Sequence, residues 1–198
     1  MTDLLSHGRT HQKLRTRNAL IAAAQTLVGE GKSPTVEDAA EAAGISRTTA
    51  YRYFKNQVEL LAAAYPEMAK ASLLPAKAPT TAEARLEIVA RELTQMVKSG
   101  ETHYRTMLRL SLDPATPRGA LILRQGRAIG WIEDALEPLR SRLSRAELRR
   151  LVLAIRSAIG IEAFVWLVDI GGLSPDEAVK TMRWTARAIL DGALSAGS

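Results

Sequence analysis

Apolar residues return every three or four positions along most of this chain, and the two-residue alternation of a half-buried strand is hard to find anywhere. That spacing places side chains on one stripe of a helix, so the fold class is all-α. The 198 residues are 46% apolar, enough for one substantial core or a small module joined to a larger one. Glycine and proline then punctuate the helices. The expected helices cover about residues 12–29, a short one capped by Thr35, a second short one capped by Ser46, one starting at Asn56 with a kink at Pro66, and then 82–98, 102–112, 119–142, 145–170 and 175–195, about nine in all. Ser144 with Glu147, and Ser174 with Glu177, have capping-box spacing, and Pro175 fits a first helical position.

The absence of cysteine excludes disulfide frameworks, thiolate metal sites and cysteine nucleophiles. The opening "MTDLLSHGRTHQKLRTR" lacks the apolar stretch and small-residue cleavage site of a secretion signal, and no run of about 18 apolar residues is evident, so the cytoplasm is the simplest location and no membrane is expected. The formal charge of +6 favours an anionic partner. Its distribution says more. Arg9, Lys13, Arg15 and Arg17 form one acid-free patch and Arg47, Arg52 and Lys55 another, separated by Glu30, Glu37, Asp38 and Glu41.

The stretch from Thr35 to Phe54 has the layout of two helices joined by the three residues "AGI", a corner that can present its second helix to the DNA major groove. Helical spacing divides that second helix. Ile45, Ala50 and Phe54 face a core, while Arg47, Thr48, Tyr51 and Arg52 project outward. Arg47 lies at the end that meets base edges, and its guanidinium can donate two hydrogen bonds to guanine. Thr48, Thr49 and Tyr51 combine a hydroxyl with an apolar surface suited to a thymine methyl or a phosphate oxygen. Tyr53 and Lys55 fit as phosphate clamps, and the helix starts at Thr35 and Asn56 add backbone N–H donors.

"LRTRNALIAAAQTLVGEG" followed by "PTVEDAAEAAGISRTTAYRYFKNQVELL" resembles the DNA-binding domain of the tetracycline-repressor (TetR) family of bacterial transcription regulators, over about residues 12–62. The resemblance implies that Thr35 and Tyr53 bind phosphates and that Arg47, Thr48, Thr49 and Tyr51 face the groove. Ser46, as the cap of the same helix, belongs to that surface. One position departs from the family pattern: the lysine usual three residues after the phenylalanine is Gln57, which leaves a neutral donor there and Lys55 as the nearby cation. The domains expected are a basic flexible arm at 1–11, a helix-turn-helix domain at 12–56, a connecting helix at 57–74, and a ligand-binding and dimerisation domain at 75–198.

The expected helix at 145–170 has two apolar stripes, Leu148, Val152, Ile155, Ile159 and Trp166 on one and Leu151, Ala158, Ile161, Val165 and Val168 on the other. The second stripe fits a homodimer interface made with the last helix, or a fully buried central helix. A two-fold dimer suits DNA, since recognition helices about 34 Å apart meet successive turns of a pseudo-palindromic site. The resemblance implies that a small molecule bound in the C-terminal half changes that spacing and releases the DNA. Met96, Met107, Leu110, Trp131 and Trp166 are candidates for its pocket wall, with plain core as their other role.

Nothing advertises catalysis, a metal or a cofactor. His7 and His11 flank Gly8, His103 has no partner at helical spacing, and no nucleophile elbow, dinucleotide or phosphate-loop motif occurs. The reading is a DNA-binding, ligand-responsive transcriptional regulator, a repressor by resemblance and not an enzyme. A ligand-independent regulator, or a small-molecule-binding helical protein or enzyme, are the alternatives.

Overall fold

The computed structural model describes residues 3–66, 70–112, 114 and 126–196, and every regular element among them is helical. They fall into two units, one holding the described residues up to Pro66 together with 109–112 and Pro114, the other Lys70–Leu108 and Gly126–Ala196.

In the first unit, α1 (Asp3–Gly29), α2 (Val36–Ala42), α3 (Arg47–Tyr51) and α4 (Gln57–Ala64) pack around Leu20, Ala24, Val28, Val36, Ala40, Ala50, Phe54 and Leu60. Helix α1 packs on α2 and α4, and α2 on α3. Helix α1 begins well before residue 12, so most of the stretch read as a flexible arm is helical. The corner between α2 and α3 is closed by two hydrogen bonds, Gly44 N–H to the Glu41 carbonyl at 3.1 Å and Ile45 N–H to the Ala40 carbonyl at 2.8 Å. This pairing needs a left-handed residue at the penultimate position, and Gly44 supplies it with φ 64. Helix α4 stops at Ala64 because Tyr65, at φ −133 and ψ 77, precedes Pro66, whose ring disfavours helical backbone before it. The connecting helix expected over 57–74 is therefore short, and residues 67–69 lie outside the described residues.

The second unit is built on α5 (Ala82–Ser99), the first part of α6 (Glu101–Leu112), α7 (Arg127–Ala135), α8 (Arg145–Ala158), α9 (Ile161–Val165) and α10 (Pro175–Ala196). Helix α10 packs along α5 and α8, and its buried Ala178, Met182, Ala186 and Leu190 form one stripe at four-residue spacing. Leu86, Val89, Leu93, Ile132, Leu136, Val152, Ile155 and Phe164 complete this core. Ser144 and Ser174 cap α8 and α10 through Glu147 and Glu177, with the spacing read from the sequence. Residues 109–112 at the end of α6 group with the first unit.

Two expected helices differ. Of the one at 119–142, residues 119–125 lie outside the described residues; the rest forms α7, which begins after Gly126 (φ 77), and a single 3-10 turn at Glu137–Leu139. The one at 145–170 breaks at Ile159–Gly160, then continues as α9 and a π-helical turn, Trp166–Ile170. A Cβ on Gly160 would collide with the Arg156 guanidinium, which reaches across the break to Glu162 at 3.5 Å. The segment Arg145–Ile170 reaches a mean hydropathy of 2.0 over 18 residues, enough by length and composition to pass for a membrane span. Its buried residues Leu151, Val152, Ile155, Ile159, Ile161 and Phe164 instead belong to the helical core.

Candidate DNA interface

The interface is carried by helices too short to persist alone, so its local geometry depends on side-chain caps. Thr35 starts α2: its hydroxyl oxygen accepts from Asp38 N–H at 3.1 Å, and the Asp38 carboxylate accepts from the Thr35 N–H and hydroxyl, each at 2.8 Å. Those bonds hold the Asp38 carboxyl below the usual carboxylate range. Ser46 starts α3, accepting from Thr49 N–H at 3.3 Å and donating to the Thr49 hydroxyl at 2.9 Å. Asn56 starts α4 by accepting from Glu59 N–H at 2.9 Å, and Glu59 in turn accepts from Lys55 N–H.

Between these caps, α3 buries Ala50 and leaves Arg47, Thr48, Tyr51 and Arg52 exposed, the division that helical spacing predicts. Phe54 is buried, and the Arg17 guanidinium of α1 lies 5.5 Å from its ring centre, a cation–π contact that ties one basic patch to the helix-turn-helix. Tyr53 is half-buried and Lys55 exposed at the end of the turn. Thr35, Ser46, Thr48, Arg52 and Lys55 are all exposed, and Thr49, which accepts from Ser46, is half-buried.

Gln57, expected as a neutral donor to phosphate, is engaged within the domain. Its Nε2 faces the Ser33 carbonyl at 3.0 Å, the Pro34 carbonyl at 3.1 Å and the Ser33 hydroxyl at 3.2 Å. An amide nitrogen has two protons for these three acceptors, so the side chain braces the loop between α1 and α2. Where a lysine would bring charge, Gln57 brings rigidity.

Sequence reasoning missed Glu37. Its Oε1 accepts from Arg47 Nη2 at 2.8 Å and from the Tyr51 hydroxyl at 2.5 Å, joining the second residue of α2 to the exposed face of α3. The Tyr51 bond, then the Arg47 bond, lower the Glu37 carboxyl to about 2, and the same bonds raise both partners. Glu37 counted in the sequence only as one of the acids separating two basic patches. The available signal was the four-residue spacing of Arg47 and Tyr51, which puts both on the face that turns toward α2.

The five residues read as pocket wall do not share one environment; Leu110 belongs to the first unit and the other four to the second. Trp131 is buried, with its indole N–H donating to the Lys70 carbonyl at 2.9 Å, and Met107 is buried. Met96 and Leu110 are half-buried. Trp166 is 60% exposed; the helix breaks at Ile159–Gly160, between it and the rest of the stripe that its spacing suggested. A cleft of about 480 Å³ lined by Lys70, Ser72, Leu73, Leu74, Pro75, Ile88, Arg91 and Glu92 contains none of the five.

A capped helix, a glycine corner and a second helix with an arginine, a threonine and a tyrosine exposed along it make a helix-turn-helix DNA-binding domain. Residues 20–64 match the family of bacterial regulatory proteins, tetR family, and this domain belongs to that family. The protein is accordingly a DNA-binding transcription regulator. No curated protein matches the chain as a relative.

Proposed function

We propose that the protein is a ligand-responsive repressor that binds a pseudo-palindromic duplex operator as a homodimer and leaves it when a small molecule occupies the C-terminal helical unit. The observation that carries the DNA part is the exposure of Arg47, Thr48 and Tyr51 on a helix fixed by Ser46 and Gly44. Thr35, Tyr53, Arg52 and Lys55 surround them as donors to phosphate. The homodimer is supported by large apolar side chains left exposed on the last helices: Leu153 on α8, Trp166 and Ile170 on the π-helical turn, and Trp184, 71% exposed, on α10. A single chain gains nothing from exposing two tryptophans, whereas a second copy would bury them. The buried Trp131 and Met107 support an effector site in the same unit only as apolar surface. The reading invokes no cofactor and no catalytic group, and it assigns the protein to the cytoplasm, where its DNA is.

Footprinting on the DNA upstream of the protein's own gene tests the reading. A protected two-fold site whose affinity falls steeply with salt is expected. Arg47→Ala should lose about 1 to 3 kcal/mol and relax selectivity at one base pair of each half-site. Equal loss on every sequence would reduce Arg47 to a phosphate contact. A ligand screen that never changed DNA binding would favour the ligand-independent regulator.

A further inference from the structure

The Glu37 carboxylate sits where a DNA-binding surface has least use for negative charge. It lies in the first turn of α2, its side chain is 30% exposed, and a single oxygen accepts from both Arg47 and Tyr51 of α3. A bulk reading of charge would call this a defect, because a carboxylate beside the phosphate backbone weakens every duplex alike. The geometry points elsewhere. An unrestrained arginine on a recognition helix samples many rotamers and can turn to a phosphate as easily as to a base. Glu37 removes that freedom. The guanidinium has five N–H donors, and with one of them on Glu37 four remain, among them enough to meet the O6 and N7 of guanine side by side. The Tyr51 ring is fixed by the same oxygen, so the two side chains that flank Thr48 are ordered together.

We propose that Glu37 is a specificity-determining positioning residue of the DNA interface: its carboxylate orders Arg47 and Tyr51 for base contacts and withholds them from phosphates. It acts through its two partners and need not touch DNA. The inference rests on the DNA-binding reading above and deepens it. Glu37 lowers affinity for random DNA and raises the contrast between right and wrong base pairs, so its worth lies in the ratio of the two.

The experiment uses the full-length protein and a pool of short randomised duplexes, with enriched sequences scored by base-pair preference and with a single random-sequence duplex as the measure of non-specific binding. Four variants, Glu37→Gln, Glu37→Asp, Arg47→Ala and the double variant with Arg47→Ala and Glu37→Asp, are compared with the wild type after each is shown to be folded by its helix content at the assay temperature. Glu37→Gln removes the charge and keeps an oxygen within reach; Glu37→Asp keeps the charge and shortens the reach by one methylene. Both should flatten the preference at the base pair that Arg47→Ala abolishes, by about ten-fold. Both should also tighten binding to the random duplex by releasing Arg47 to phosphate, Glu37→Gln more than Glu37→Asp because it removes the charge as well. Glu37→Gln should steepen the salt dependence by about one unit of slope. In the Arg47→Ala background, Glu37→Asp should add no further loss of preference. Unchanged preference in both variants, with random and selected duplexes tightened equally by Glu37→Gln, would overturn the proposal and leave Glu37 as bulk charge. If the wild type enriched no duplex, the DNA-binding reading would fall first and this inference with it; enrichment by the wild type separates the two failures.

Discussion

Helices α2, α3 and α4 have seven, five and eight residues, and each begins at a side chain that accepts a backbone N–H: Thr35, Ser46 and Asn56. Helices α5 and α10 have 18 and 22 residues and are held by long buried stripes. Short helices are marginal in water, so the N-terminal unit depends on particular residues at particular corners. Long amphipathic helices depend on pattern and volume, and many apolar residues satisfy the same stripe. The difference teaches where function can be read from a sequence. In the first unit the residues that fix the fold stand beside those that face outward, so both are specified position by position. In the second the apolar residues that build the core are the same types that would line a pocket or a dimer face.

The largest expected effect falls in the core of the second unit. Phe164 is fully buried, and Phe164→Ala should lower stability by about 3 to 5 kcal/mol in urea denaturation. Met182 is equally buried on α10, yet Met182→Leu should cost less than about 1.5 kcal/mol, because a volume-conserving change leaves the stripe intact. If Met182→Leu proved as damaging as Phe164→Ala, the second unit would be specified position by position like the first and the contrast would break. In the first unit, Gly44→Ala should cost about 1 to 2 kcal/mol. Nothing lies within 4 Å of the added Cβ, so the whole cost is backbone strain at φ 64. A loss near zero would show that the corner does not need its left-handed residue.

What could be read from the sequence follows the same division. The caps at Thr35, Ser46, Asn56, Ser144 and Ser174 were legible because each bond spans three residues. The sorting of Phe54 inward and Arg47 and Tyr51 outward was legible because helical spacing decides it. The Glu37 contact was not, since its partners are ten and 14 residues away across a corner. Gln57 was assigned by position along the chain, but its partners at Ser33 and Pro34 are set by the packing of α4 against α1. The break at Gly160 was hidden because Ile159 and Ile161 are apolar on either side, so the hydrophobic period runs through it. That break resets the register before Trp166, so α9 buries Ile161 and Phe164 and the stripe that should have buried Trp166 leaves it exposed.

The smallest expected effect concerns acid and separates the two units by what their carboxylates do. Glu37 is lowered from 4.5 to about 2, first by its bond from Tyr51 and then by Arg47. A depressed carboxyl stabilises the folded protein fully above its unfolded value and loses that contribution as pH falls toward the folded one. The stability difference between wild type and Glu37→Gln should therefore be constant above about pH 4.5 and shrink between there and about pH 2. Melting temperatures of the two proteins across that range check it. In the second unit Asp169, held by Arg105 at 2.7 Å through both oxygens, is also depressed, so Asp169→Asn should show the same sign below the ordinary aspartate value of 3.8. The two should part on DNA: Glu37→Gln changes base preference at neutral pH, and Asp169→Asn leaves it unchanged. Loss of preference in Asp169→Asn would mean that the second unit's surface charges reach the recognition helix, and the position-by-position character of the first unit would no longer account for its selectivity alone.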